Sequence, residues 1–558
     1  MDLQPHPEPG FTVVSTTDNA QSAAYTGAFF PTATAFTIGG GVFTSNVNVT
    51  NNRIRLGDIK LRKEIRLNDR RSGVVDRRSV RASVRRMYSA EIRRDPGLVT
   101  VAMYDGDDAE EECRRHVAKY ESTRHPNIMQ LYGLVSTRGL RAMIFHDELI
   151  PFSEFFGRFR NSSVLTTYIL GYCNTEFDEA TDYLSQVFRQ PALSYTQLPV
   201  WIRPATGEVC LDLVLGRPTV FAYPWWTVNI LRLENVSLED PNAEALIISS
   251  LDEDEYHQLC SMPVTAHSST FTVSTRLPIP RGPAIFRPDF EKRTLSRITQ
   301  GLHVGGGQKR DIGWFDYGIQ GEILPNSWMR YDSRRACDLH SEFWVVPWVR
   351  SLKFWLAQAN HVFALLETAE PEFEDYVCMH GTVFILRCVP NLRNIEGPEG
   401  HLFVCPPEHF QTGEDLFQWP ECPAYWSLDP SGAARLSPEK AEILGFPIIH
   451  IETRISGYSW DSSVYAGLRR FHAGKEFDPS SQDVAKCLGY PLFELSCEEA
   501  APLAFHNFCR CYLEDPAIFA RYYTKFTYDD LSLSQEGSLF PIRPFSARDL
   551  CIPCPLLS

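Results

Sequence analysis

Leu98-Val-Thr-Val-Ala-Met103, Asp107-Asp-Ala-Glu-Glu-Glu112, Gln130-Leu-Tyr-Gly-Leu-Val135 and Arg141-Ala-Met-Ile-Phe145 follow one another closely, and their reading decides the fold. The first is a β-strand by its run of β-branched and apolar residues. The acids at 107–112 belong on the first turn of a helix, where they favour its positive end. Cys113, Val117 and Tyr120 then recur at helical spacing, and Pro126 stops the helix. The last two stretches are strands joined by a turn at Arg138-Gly139. Further on, Thr175-Glu-Phe-Asp178 has the pattern of a helix cap, with Phe177, Ala180, Leu184, Val187 and Phe188 expected to face inward. The order is strand, helix, strand, strand, then helices.

Upstream, residues 1–50 are rich in Thr, Ser, Gly, Pro and Asn; within them Ala35–Thr50 alternates apolar and polar residues around three glycines. That pattern suits either a short hairpin or edge strand, or a disordered leader. Residues 53–94 are the most basic, with Arg70-Arg71, Arg77-Arg78, Arg85-Arg86 and Arg93-Arg94 among Ser72, Ser79 and Ser83. A solvated loop between two strands is expected there; a phosphate-binding or phosphorylatable loop, or a nuclear-import patch, is the sharper alternative, and few aromatics lie nearby to stack on bases. Beyond Leu198, short elements punctuated by Pro and Trp take over. Glu208–Leu213 reads as a strand and Leu251–Glu255 as a solvated loop or helix end. Trp348, Leu352, Trp355, Leu356, Val362, Phe363 and Leu366 mark a core helix. Ser437–Gly445 is a short helix with a Ser cap, an early Pro and a terminal Gly. Helices are also expected over Asp461–Phe471 and Gln482–Leu488.

A chain of 558 residues with 44% apolar and 22% charged residues has room for several domains with large cores. A net charge of −15 argues against general attraction to nucleic acid or anionic membrane. Residues 1–10 hold no basic region followed by an apolar run, and no stretch approaches membrane-spanning length. A cytoplasmic protein is expected, with the nucleus as second choice, and its 15 cysteines are expected to be reduced and mostly buried. The sequons at Asn48, Asn161 and Asn235 then stay unmodified.

From Val99 to Phe156 the chain resembles the small lobe of a protein kinase. Val101-Ala-Met-Tyr104 stands where kinases carry Val-Ala-Ile-Lys, and Arg124-His-Pro-Asn-Ile128 with Gln130-Leu-Tyr-Gly133 looks like the junction between the kinase C-helix and its fourth strand. Ala142–Phe145 leading into Leu149–Phe152 looks like the fifth strand and hinge, and Val84–Ala90 like the second strand. Over most of its length the chain is similar to a family of kinase-like proteins of mushroom-forming (basidiomycete) fungi, through Tyr104-Asp-Gly-Asp-Asp-Ala-Glu-Glu-Glu112 and Trp460-Asp-Ser-Ser-Val-Tyr-Ala-Gly-Leu468. The resemblance implies an α+β fold: a Gly/Thr/Asn-rich leader over 1–55, a degenerate protein-kinase-like domain over 56–215, a linker and irregular segment over 216–310, and a mixed α/β C-terminal region over 311–558.

The departures bear on activity. Kinases need a third-strand lysine for the nucleotide phosphates and a C-helix glutamate to orient it. Here those positions are Tyr104 and either Arg115 or His116, with Glu110–Glu112 about a turn too early. Between Leu61 and Tyr88 the only glycine is Gly73, so no glycine-rich loop forms; no His-Arg-Asp loop follows Phe188. Asp212 stands near the magnesium-binding position, but an ordinary strand-end aspartate is expected; Arg548-Asp549-Leu550 imitates part of a catalytic loop too near the end.

Other chemistry has weaker support. Cys551 and Cys554 lack a second ligand pair, as do Cys509 and Cys511, and Cys405 with His409. Gly305-Gly-Gly-Gln-Lys-Arg310 lacks the Lys-Ser or Lys-Thr of a phosphate loop, and no Gly-x-Ser-x-Gly or His-Glu-x-x-His occurs. The expectation is therefore a protein-kinase-like regulatory or scaffold protein without phosphotransfer. It names no catalytic, cofactor-binding or metal-binding residue; it includes a protein partner, no membrane and no nucleic acid. The alternatives are an active atypical Ser/Thr kinase using ATP and magnesium, with Lys60 or Lys63 borrowed, and a nucleic-acid-associated factor using segment 62–94.

Overall fold

The computed structural model describes residues 53–65, 84–137, 140–190, 197–215, 229–233, 236–262, 265–280, 282–300, 302, 314–316, 321–345, 352–390, 398–413, 416–496 and 502–511. Residues 1–52 of the leader, the segment 66–83 with Gly73, Arg77 and Arg78, the turn at 138–139, Trp348, Gly305–Arg310 and residues 548–558 lie outside them. The chain is mixed α+β and divides into two units.

The first unit holds β1 (Ile59–Ile65), β2 (Val84–Ile92), β3 (Leu98–Asp105), the start of helix α1 (Ala109–Glu121), β4 (Leu131–Thr137) and β5 (Leu140–Phe145). Its strands form one sheet in the order β1-β2-β3-β5-β4. Period-two alternation sends Val99 and Val101 into a core with Ala90, Ile92, Val135, Ala142 and Ile144, while Thr100, Ala102 and Tyr104 take the other face. Both faces of mid-β3 are buried, which is why its residues there are apolar or β-branched throughout. Gly106, at φ 115°, turns the chain from β3 into the helix. α1 ends at Glu121, five residues before Pro126.

The second unit opens with β6 (Ile150–Pro151), α2 (Phe152–Arg158) and α3 (Ser163–Phe188), followed by β7 (Val200–Ile202) and β8 (Val209–Leu211), which pair with β6 in a small sheet. Ser162 caps α3, accepting a hydrogen bond from the Leu165 amide. The expected cap at Thr175–Asp178 is therefore mid-helix, and Val187 and Phe188 are 39% and 37% exposed rather than inward. The helix was hidden because its first half, Val164–Cys173, is buried nearly all round and shows no period. An ion-pair network ties α3 to the β7–β8 hairpin: Arg232 bridges Glu176 and Glu208, and Arg203 bridges Glu208 and Asp147.

Next come α4 (Ala243–Ser250), α5 (Glu253–Cys260), β9 (Ala266–Val273), β10 (Ile279–Pro280), β11 (Ile285–Asp289) and β12 (Thr294–Arg297). The acidic run at 251–255 starts α5, Asp252 and Glu255 forming a reciprocal capping box. β13 (Trp314–Asp316), β14 (Glu322–Ile323), β15 (Met329–Asp332) and β16 (His340–Val345) precede α6 (Leu352–Leu356) and α7 (Ala359–Leu365), so the single core helix expected here is two short ones. The chain continues through β17 (Val377–Val389), β18 (His401–Val404), β19 (Leu416–Phe417), β20 (Ala424–Ser427), α8 (Pro438–Ile443), β21 (Ile448–Trp460), α9 (Ser462–Gly474), α10 (Asp483–Cys487) and β22 (Leu503–Cys511). The expected helices at 437–445, 461–471 and 482–488 are α8, α9 and α10, with Gly445 and Gly489 at positive φ beyond α8 and α10.

Six of these strands close an antiparallel barrel in the order β11-β12-β22-β9-β21-β17, with β17 returning to β11. Phe271, Phe286, Leu295, Met379, Ile455 and Phe505 fill it. Closure depends on Gly457: a Cβ there would lie 2.6 Å from the Cys378 carbonyl oxygen, beside the bulge between Met379 and Gly381. β16 and β13 extend the sheet past β17, over a second core that they share with the sheet β14-β15-β18-β20. Residues 216–310, expected as linker and irregular segment, supply two helices and three barrel strands, and the other three barrel strands come from beyond residue 310.

Candidate functional site

β3 places Tyr104 at the end of its buried run, and the β2–β3 and β3–β5 registers set it between Arg85 and Arg141. Its ring is 1% exposed. The phenol oxygen lies 2.9 Å from Nδ1 of His116 on α1, itself 8% exposed, and 3.4 Å from the Met143 sulfur. The two rings meet at a tilt, centroids 5.6 Å apart. The Arg85 guanidinium stands over the Tyr104 ring, 6.0 Å from its centroid. A phenol–imidazole hydrogen bond thus occupies the third-strand and helix positions.

Of the two helix candidates, His116 turns inward; Arg115 stays outside and pairs with Glu112 at 3.7 Å. The acids a turn earlier serve the helix surface. Glu110 joins Arg141 and Arg114, and the hydrogen bond from Arg141 holds its carboxyl below the ordinary carboxylate range; Glu111 joins Arg114. Burial pushes the Cys113 thiol, one turn before His116, up to about 11, so no thiolate nucleophile stands there at neutral pH. Lys60, proposed as a borrowed cation, is 68% exposed and faces Glu91 at 4.0 Å; Lys63 is exposed on the same strand.

In the second unit, Asp212 follows β8 directly, as expected, but it is 1% exposed and engaged. It accepts hydrogen bonds from the Tyr120 hydroxyl and from the Val214 amide at 3.1 Å. The Leu213 amide donates to the same Tyr120 oxygen at 2.9 Å, and Lys119 donates to the Leu213 carbonyl at 3.2 Å. The carboxylate organises the turn after β8. Helical spacing had marked Tyr120 as a core residue; its hydroxyl's role had no sequence signal, because the partner lies 92 residues away.

The remaining candidates stay apart. Cys405 is buried, its thiol pushed up to about 12 by burial, while Cys509 is exposed. Cys551 and Cys554 lie outside the described residues, and so do Arg548-Asp549-Leu550. Among the described residues no three His, Cys, Asp or Glu side chains are grouped to hold a metal ion, and no helix is long and apolar enough to cross a membrane. Seven of the eleven cysteines whose side chains are described are buried, and all eleven are free thiols. No family model and no curated protein matches the chain.

Proposed function

We propose that this chain is a protein-kinase-like regulatory or scaffold protein without phosphotransfer activity, related to the kinase-like proteins of mushroom-forming fungi that its sequence resembles. One observation carries the reading: Tyr104 and His116 bond to each other where a phosphate-gripping kinase would hold a lysine and a glutamate. A phenol supplies no positive charge for the α and β phosphates, and its buried ring fills space a lysine would leave to the ligand. The helix between third and fourth strands, followed by a fifth strand in the same sheet, agrees with the small-lobe reading. The engagement of Asp212 by Tyr120 supports it further, since a carboxylate already bound by a hydroxyl and an amide is less open to magnesium. Its partners would be proteins, met through surfaces rather than through a nucleotide.

The test is a thermal shift with magnesium and ATP on the full-length protein. Millimolar nucleotide should leave Tm unchanged, because stabilisation by binding grows as RT ln(1 + [L]/Kd). The double variant Tyr104→Lys, His116→Glu, which rebuilds the ion pair, should gain a measurable shift. A rise of several degrees in the unaltered protein, or transfer of the γ-phosphate to a generic protein substrate, would overturn the proposal in favour of an active atypical kinase.

A further inference from the structure

We infer that the first half of β21 is a docking edge that takes up an extended, apolar, non-acidic peptide segment of another protein as an added strand. β17 flanks β21 from Ile448 to Tyr458. On the other side β9 pairs only with Thr453–Trp460. Along Ile448–Glu452, alternate backbone N–H and C=O groups therefore face away from β17 with no strand beside them among the described residues. Backbone groups left this way are a template for another strand.

Two of the usual protections of an edge are missing. The run reads Ile448-Ile-His-Ile-Glu452, with no lysine and no proline inside it, and its β-branched residues favour pairing. Ile448 is 51% exposed and Val389, its partner in the β17 register, is 48% exposed; Ile443, shortly before, is 84% exposed.

The same geometry defines the occupant. Ile449 and Ile451 pack at the margin of the core beneath the extended sheet. An added strand would lie in line with β9 and would have to present apolar side chains on that face to continue the core. On its other face it would meet His450 and Glu452, the latter already shared between Arg454 and Arg387. With a net charge of −15 on the chain and Glu452 on this face, a neutral or basic apolar segment of a different protein is a better complement than an acidic one. Backbone hydrogen bonds would give affinity and the alternation of side chains selectivity.

The experiment uses the full-length chain and a fluorescein-labelled, capped peptide of sequence Lys-Ile-Thr-Ile-Thr-Ile-Lys, followed by fluorescence anisotropy. Saturable binding is expected. N-methylation of alternate amides along one edge of the peptide should weaken it at least tenfold, while methylation along the other edge should not. Ile448→Lys should weaken it similarly, and Ile323→Lys, at a 73% exposed site in a different sheet, should leave it unchanged. Absence of saturable binding, or binding indifferent to both methylation patterns, would overturn the inference. So would a dimer of the chain that Ile448→Lys dissolves, since a second copy would then own the edge. None of these readouts involves nucleotide, so this inference and the kinase-like proposal stand or fall separately.

Discussion

Tyr104 shows how one side chain redirects the chemistry around it. A lysine in this place would need a carboxylate to remain charged while buried; a tyrosine needs only one polar partner for its hydroxyl, and His116 supplies it. Tyr104→Phe removes that hydrogen bond from a closed site and should cost about 1–2 kcal/mol in urea unfolding. Tyr104→Lys alone should cost more, because it buries a cation without its carboxylate, and adding His116→Glu should recover part of the loss. Tyr120→Phe strips Asp212 of a donor inside the second unit and should cost about 1.5–3 kcal/mol, the usual range for a hydrogen bond to a charged group. Equal stability of either Phe variant with the parent would show that the hydroxyl contributes nothing. Gly457→Ala tests barrel closure: with the Cys378 carbonyl 2.6 Å from the new Cβ, the strands must move apart, and a loss of about 1–3 kcal/mol is expected.

Between elements, the clearest coupling is a buried pair of histidines. His257 on α5 and His472 on α9 are 0% and 2% exposed, with their Nε2 atoms 2.8 Å apart, so one must donate and the other accept, both neutral. Tyr256 and Phe471 stack beside them at 3.9 Å, and Lys353 on α6, Asp254 on α5 and Tyr490 gather nearby. Burial first, then the neighbouring His472, holds His257 well below the ordinary imidazole range; burial lowers His472 to about 4. Both folded-state values lie below the unfolded one, so the unfolded chain binds more protons in acid and stability falls as pH drops below 6.5. His472 alone should remove up to about 1.4 kcal/mol per pH unit between the two values, reaching about 3 kcal/mol near pH 4. Urea midpoints between pH 7.5 and 4.5 check this, and His472→Gln, which keeps a hydrogen-bonding side chain without titrating, should flatten the profile. An identical profile in that variant would place the acid sensitivity elsewhere.

Across the whole molecule, what could be read depended on the range of the interactions. Strands β3, β4 and β5, helix α1 and the small helices α8 to α10 were legible because their signals are local: β-branched runs, acids at a helix start, a Ser cap, a Gly stop. The two helix positions competing for the Tyr104 partner, Arg115 and His116, were also legible by counting, but only burial separated them. Helix α3 was half missed because a helix buried on all sides carries no periodic mark. The barrel was missed altogether, since its strands come from 266–297, 377–389, 448–460 and 503–511, and no local pattern states which distant strand will be a neighbour.

By itself, then, the sequence determined which residue types stand at the positions proposed as kinase-like and which short segments become strand or helix, because propensity, capping and charge act within a few residues. Tertiary structure alone decided that Tyr104 answers to His116, that Asp212 is held by Tyr120, that six dispersed strands close into a barrel, and that Ile448–Glu452 of β21 has no second neighbouring strand among the described residues. Each of these depends on where remote backbone and side-chain groups meet, and burial then sets the strength of every hydrogen bond and charge among them.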